Sequence, residues 1–288
     1  MSNNAGSCKI VKFCPVAETD EKLQEFADEF FDVVTLDYND DGMICLTGYL
    51  PADAEEKSLD TAAQNANIIL PEHQWDTLSS DDWLTENVIK FAPVDTEDFV
   101  VYGIHEHQVD LHGKIGVKVY AATAFGSEHQ TTKSCLNAIS DINRLNPDVK
   151  NVLDVGTGSG VLAIAAAKLW KNAKITAVDI DKESVIVAKQ NAEDNNVSVA
   201  VDLSDGYSAD LVKNNAPYDV IFANILARPL IAMASDMAKN LVKGGYAVIS
   251  GFVDDQTDWV VGEHKKHGLE LKKIYYQDNW RAALLEKK

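Results

Sequence analysis

From residue 151 onward, short apolar runs alternate with longer stretches whose apolar positions recur at helical spacing. "NVLDV" (151–155), "KITAVDI" (174–180), "VSVAVD" (197–202), "PYDVIFANIL" (217–226) and "GYAVISGF" (245–252) read as strands. The spacing predicts helices over 161–170, 182–194, 229–242 and 255–267, with another over 131–145 ahead of the first strand. The final strands, "LELKKIYYQ" and "WRAALLEK", are close enough to pair antiparallel. Such alternation predicts an α/β fold, a doubly wound sheet with helices on both faces. Ligands of these sheets bind beyond the carboxyl ends of the strands.

The first 75 residues have a different rhythm. A strand (9–17) precedes "TDEKLQEFADEFF" (19–31), where Thr19 is a candidate N-cap and Leu23, Phe26, Ala27 and Phe30 recur at helical spacing. "DVVTLDYN" and "MICLTGYL" flank the turn signal "DDG", then come a helix over 58–70 and a short strand near 71–78. The order β-α-β-β-α-β predicts a small ferredoxin-like α+β domain. The expected division is therefore a ferredoxin-like domain over 1–75, a linker over 76–112 with a short helix and one strand (99–104), and a Rossmann-like domain over 113–288.

Composition narrows the picture. The chain has 288 residues, 46% of them apolar, and no window long and apolar enough to span a bilayer. Its polar N-terminus lacks the features of a signal peptide. A net charge of −19 disfavours general nucleic-acid binding and suits a cationic partner. Cys8, Cys14, Cys45 and Cys135 form no CxxC pair and read as reduced thiols of a cytoplasmic protein. His105, His107 and His112 lie in one short segment without carboxylates or thiolates at a ligand spacing, so they read as exposed loop residues and no metal is expected.

The chemistry concentrates at Gly156-Thr157-Gly158-Ser159-Gly160, between the strand at 151–155 and a helix. Glycine tolerates positive φ and lets a ligand approach main chain. A dinucleotide loop would read G-x-G-x-x-G around a diphosphate. Here the pattern is G-x-G-x-G, Asp154 stands two residues before it, and no Lys or Arg lies within it. Asp154 would oppose a diphosphate but could hold an ammonium group, and Asp179 ends the next strand where ribose hydroxyls are accepted. This set suits S-adenosyl-L-methionine, which carries an amino-acid tail and a ribose but no phosphate. Asn224 ends the fourth strand in "ANILARPL". It reads either as a cap for the helix near Pro229 or as a group facing the ligand.

"AFGSEHQTTKSCL", "VLDVGTGSGVLAIAAAKLW", "VDIDKESVIVAKQNAEDN", "FANILARPL" and "LVKGGYAVISGF" resemble the class I methyltransferase family that modifies protein eleven of the large ribosomal subunit, PrmA. The resemblance runs over 82–288; over the first 75 residues it rests on length and β/α order. It implies a Rossmann-like methyltransferase domain preceded by a ferredoxin-like domain that recognises the ribosomal protein. It also implies methylation of that protein's N-terminal amine and lysine ε-amines, with S-adenosyl-L-methionine as cofactor. By motif it carries over Thr132, Gly156, Asp179 and Asn224 as cofactor contacts. The expected site is thus Thr132, Asp154, Gly156, Gly158, Gly160, Asp179 and Asn224, with Asn224 also orienting the amine.

This chain departs from the family over Ala124–Thr132, where the loop is one residue shorter and lacks its second glycine. The expected partner is a basic ribosomal protein, facing acidic Asp20, Glu21, Glu25, Asp28 and Glu29 on the first helix. A cytoplasmic monomer is expected, without direct nucleic-acid or membrane binding. Methylation of another amine or amide, and cofactor binding without transfer, are the alternative readings.

Overall fold

The computed structural model describes residues 7–16, 21–31, 33–38, 43–51, 54–66, 68–79, 91–106, 108–120 and 130–288. The chain forms two compact units, Met1–Asn87 and Val88–Lys288.

In the first unit, β1 (Ser7–Phe13), α1 (Glu21–Phe30), β2 (Val33–Tyr38), β3 (Ile44–Pro51), α2 (Glu56–Asn65) and β4 (His73–Ser79) follow one another. The sheet order is β2-β3-β1-β4, with every neighbouring pair antiparallel, which is the ferredoxin-like arrangement. Val11 and Phe13 are fully buried while Lys12 between them is exposed, the two-residue period of a half-buried strand. They pack with Leu23, Phe26 and Ala27 of α1, Leu46 and Leu50 of β3, and Leu59 and Ala63 of α2.

Several expectations shift. The helix expected over 58–70 starts two residues earlier and stops at Asn65. Beyond it, Ile68 and Leu70 pack on the core whereas Ile69 is 95% exposed, so this apolar run follows an extended period. The boundary expected at residue 75 falls inside β4, because β1 pairs with β4 as far as Ser79. Cys14 and Cys45, expected as reduced thiols, are joined by a disulfide. Cys14 directly follows the Phe13↔Leu46 pair, so the β1–β3 register places the two cysteines opposite each other. The inference of a cytoplasmic setting from its thiols loses that support. The candidate cap Thr19, Asp20, and the side chains of Glu21, Glu25, Asp28 and Glu29 lie outside the described residues.

In the second unit, β5 (Val94–Asp95), β6 (Phe99–Gly103) and β7 (Ile115–Val119) form a small sheet. The expected linker over 76–112 therefore contributes to this unit's structure. Phe99 and Val101 join its main core with Val117 and Val119 of β7, a strand that the sequence reading did not separate. Of the three histidines, His107 lies outside the described residues and His112 is exposed; His105 is mostly buried, against the Phe91 ring. Among the described residues no three His, Cys, Asp or Glu side chains converge on a metal site. No helix among them is long and apolar enough to cross a membrane.

There follow α3 (Gln130–Leu145), β8 (Asn151–Val155), α4 (Val161–Leu169), β9 (Lys174–Asp179), α5 (Lys182–Asp194), β10 (Ala200–Leu203) and a short α6 (Asp210–Asn215). The chain continues with β11 (Tyr218–Asn224), α7 (Ala227–Asn240), β12 (Leu241–Val253), α8 (Thr257–Lys266), β13 (Leu269–Gln277) and β14 (Trp280–Lys287). Among the described residues these strands form one seven-stranded sheet, ordered β10-β9-β8-β11-β12-β14-β13. The first five are parallel; β14 inserts antiparallel between β12 and β13.

Alternate residues of each central strand feed different cores. Val152, Ala177, Val220, Phe222 and Val248 pack on α3, α4 and α5. Leu153, Val178, Ile221, Ala223, Ala247 and Ile249 pack on the α6, α7 and α8 side. Burial on both faces is why these strands read as continuous apolar runs. The chain reverses its winding direction between β8 and β11, and this opens a crevice at their carboxyl ends.

Candidate functional site

The glycine turn lies at that crevice. Gly156 has φ +71°, and a Cβ there would stand 2.3 Å from the Ile225 Cγ2, so glycine is required on two counts. The Gly156 and Thr157 amides donate to the Val178 carbonyl at 2.9 and 3.0 Å, which ties the turn to β9. The Gly158 amide donates to Asp179 Oδ2 at 2.8 Å, and the Asp181 amide to Asp179 Oδ1 at 3.0 Å. Asp179 thus braces the turn as well as facing the crevice. Asp181 caps α5 by accepting from the Ser184 amide and hydroxyl at 2.9 and 2.8 Å.

A second brace comes from Asn191, fully buried on α5. Its Nδ2 donates to the Ser159 carbonyl at 2.8 Å and the Tyr120 carbonyl at 3.1 Å, and its Oδ1 accepts from the Tyr120 amide at 2.7 Å. The sequence reading did not single it out. Its signal is a polar residue on the buried stripe formed with Ser184, Val187 and Ala188.

The crevice is a cleft of about 620 Å³, within the range of small-molecule sites. Gly156, Gly158, Asp179 and Asn224 all line it, so the structure brings four of the expected residues together. Asp205 also lines it, from the turn after β10, and Ile180 and Leu226 present large apolar side chains, 70% and 67% exposed. Their signal is position: each lies just beyond the carboxyl end of a strand. No Lys or Arg lines the cleft among the described residues, so nothing there matches a phosphate.

Asn224 sits at the end of β11, and its amide forms no hydrogen bond among the described residues. Leu226 occupies the N-cap position of α7 and makes no side-chain cap bond. The cap reading of Asn224 is therefore not what the structure shows.

Three expected residues lie off the cleft wall. Thr132 is fully buried, whereas Thr131 lines the cleft. Adjacent residues in the first turn of α3 point about 100° apart, and Thr132 falls on the buried stripe with Cys135, Leu136 and Ile139. The shortened loop preceding α3, 124–129, lies outside the described residues. Gly160 begins α4 against Ala188 and serves packing.

Asp154 is 1% exposed beneath the turn. Its Oδ2 accepts from the Thr157 hydroxyl at 2.7 Å, and its Oδ1 is buried without a hydrogen-bond partner among the described residues. Burial, reinforced by nearby Asp179, pushes its carboxyl up to about 7 against the opposing Thr157 bond. With its folded pKa raised above the unfolded value, this group's contribution to stability is fully present below pH ~4 and is lost as pH rises through about 7. Asp154→Asn should accordingly raise the melting temperature of the cofactor-free protein at pH 8 by several degrees and by less than half as much at pH 5. Melting curves at the two pH values check this; an equal effect at both would place the strain elsewhere.

The profile of the family described as "Ribosomal protein L11 methyltransferase (PrmA)" matches residues 9–288. A ribosomal protein L11 methyltransferase of Caulobacter sp. (strain K31) is 37% identical over 213 residues, covering 74% of this chain and 73% of the relative. One from Brucella suis (strain ATCC 23445 / NCTC 10510) is 34% identical over 269 residues, covering 91% and 92%. The solved ribosomal protein L11 methylase of Lactobacillus delbrueckii subsp. bulgaricus shares the fold, with TM-score 0.61 and 24% identity over 69% of this chain and all of that one. With a match across nearly its whole length, and with the glycine turn, Asp179 and Asn224 gathered at one cleft, the chain belongs to the ribosomal protein L11 methyltransferase (PrmA) family.

Proposed function

We propose that this protein transfers methyl groups from S-adenosyl-L-methionine to the N-terminal amine and lysine ε-amines of ribosomal protein L11. The observation that carries this reading is a cleft in which acidic and uncharged groups surround the glycine turn while the unbonded amide of Asn224 faces the same space. The residues fit the cofactor: Asp179 can accept ribose hydroxyls, and main chain at Gly156 and Gly158 is open to close approach. When bound, the sulfonium supplies an activated methyl group.

The protein's own task is alignment and proton management. A lysine amine has a pKa of about 10.4 and is almost wholly protonated at neutral pH, so its lone pair must be freed. Asn224 Oδ1 can accept one N–H of the amine and aim the lone pair without adding charge. The proton is assigned to water. Mass spectrometry of purified ribosomal protein L11, after incubation with this protein and S-adenosyl-L-methionine, should show added methyl groups on its N-terminus and lysines. An unmodified substrate would refute the reading.

The first unit is assigned to recognition of the basic substrate. The charge of −19 favours such a partner. Each unit has its own apolar core, so Val88–Lys288 should fold alone. That fragment is expected to bind S-adenosyl-L-methionine with an affinity within about threefold of the full chain and to lose most methylation of ribosomal protein L11. Calorimetry and methyl incorporation measure the two; full activity in the fragment would remove the recognition role.

A further inference from the structure

The order of strand ends divides the cleft. On the β9 and β10 side of Gly156 lie Asp179, Ile180, Ser204 and Asp205; on the other side, along β11, β12 and β14, lie Asn224, Gly251 and Trp280. With the first half matched to the cofactor, the second is left for the acceptor. Trp280 is the only aromatic side chain lining the cleft among the described residues. The floor between it and Asn224 carries no side chain: Gly251 has φ +95°, and a Cβ there would stand 2.2 Å from the Ile225 carbonyl oxygen.

The backbone on either side of Trp280 is tied down by Arg281 and its neighbours. Arg281, 8% exposed, donates through Nε to Asp254 Oδ1 at 2.9 Å. Its Nη1 donates to the Asp278 carbonyl at 2.7 Å and the Trp280 carbonyl at 2.8 Å, and its guanidinium lies 4.7 Å from the Tyr276 ring centroid. The Asp254 amide donates to the Asn279 carbonyl at 3.0 Å, and the Ser250 hydroxyl to the Arg281 carbonyl at 2.9 Å. The tip of the β13–β14 hairpin is thereby clamped to the end of β12.

We propose that Trp280 is a specificity-determining residue of the acceptor half, its indole packing against the aliphatic stem of the incoming amine-bearing side chain, and that Arg281 is the residue positioning it. The inference rests on the amine-methylation reading above and deepens it. An indole face packs methylenes and attracts the ammonium form in which a lysine arrives. A cofactor contact at this end is not required, because two strands, β11 and β12, separate Trp280 on β14 from β8.

Steady-state kinetics of the full chain on ribosomal protein L11, with cofactor affinity from calorimetry, tests this. Trp280→Ala should raise KM for the protein substrate about tenfold, with kcat and cofactor affinity within about threefold; Trp280→Phe should restore most of the loss. Arg281→Lys keeps the charge but lacks the planar fork, and should reproduce the KM increase with cofactor affinity unchanged. An unchanged KM in Trp280→Ala overturns the proposal. So does a parallel loss of cofactor affinity, which indicates general damage to the site. Titration of lysine amide into the protein saturated with S-adenosylhomocysteine, read by NMR, tests the wall independently of the macromolecular substrate. Weaker binding in Trp280→Ala than in wild type supports the wall even if ribosomal protein L11 proves unmodified, and equal binding overturns it.

Discussion

Asp179→Ala is expected to weaken S-adenosyl-L-methionine binding by about a hundredfold or more. A carboxylate accepting two ribose hydroxyls forms charge-assisted hydrogen bonds of about 1.5–3 kcal/mol each, and ~3 kcal/mol corresponds to about a hundredfold in Kd. The same substitution removes the acceptor of the Gly158 and Asp181 amides, so the turn loses a brace together with the ligand contact. Asp181→Ala separates the two effects. It deletes the cap of α5, about 1 kcal/mol of stability, while its carboxylate does not line the cleft. Calorimetric affinity should collapse in the Asp179 variant and stay near wild type in the Asp181 variant, with melting temperature lowered in both. Wild-type affinity in a folded Asp179→Ala protein would remove Asp179 from the cofactor site.

Asn224→Ala is expected to lower kcat by about a hundredfold to a thousandfold, the usual cost of deleting one preorganised hydrogen-bonding group, with cofactor affinity nearly unchanged. The amide forms no other hydrogen bond among the described residues and caps no helix, so little structural loss accompanies the change. Asn224→Asp is the sharper variant. It retains an acceptor but places negative charge beside the amine, which stabilises the ammonium form and raises its pKa. Turnover should therefore fall at neutral pH and recover as pH rises, moving the rate profile alkaline. Wild-type rates in both variants at pH 7 would show that Asn224 does not touch the acceptor.

Much of this site is legible along the chain because its parts are local. The run from Asp154 to Gly160 sits within seven residues, and Asp179 and Asn224 each end a recognisable strand. Asp205, Ile180 and Leu226 are less legible: a carboxylate after a short strand, or an apolar residue next to one, looks like ordinary loop or core until the strand order is known. The threonine pair shows the finer limit. The resemblance points to "TT", but only the fold shows that Thr131 lines the cleft while Thr132 does not.

The sequence by itself determined the two fold classes, because hydrophobic periodicity reports which faces of each element are buried. It also determined the glycine turn with its two carboxylates, because backbone freedom and charge at neighbouring positions are local properties. Only the tertiary structure decided the insertion of β14 between β12 and β13, and with it the arrival of Trp280 and the Arg281 clamp at the cleft. It likewise decided the Cys14–Cys45 pairing and the reach of Asn191 to Ser159 and Tyr120. The reason is the same in each case. Which edges pair, and which side chains then meet across tens of residues, depends on burial and hydrogen bonding satisfied over the whole sheet, and no short window of sequence carries that sum.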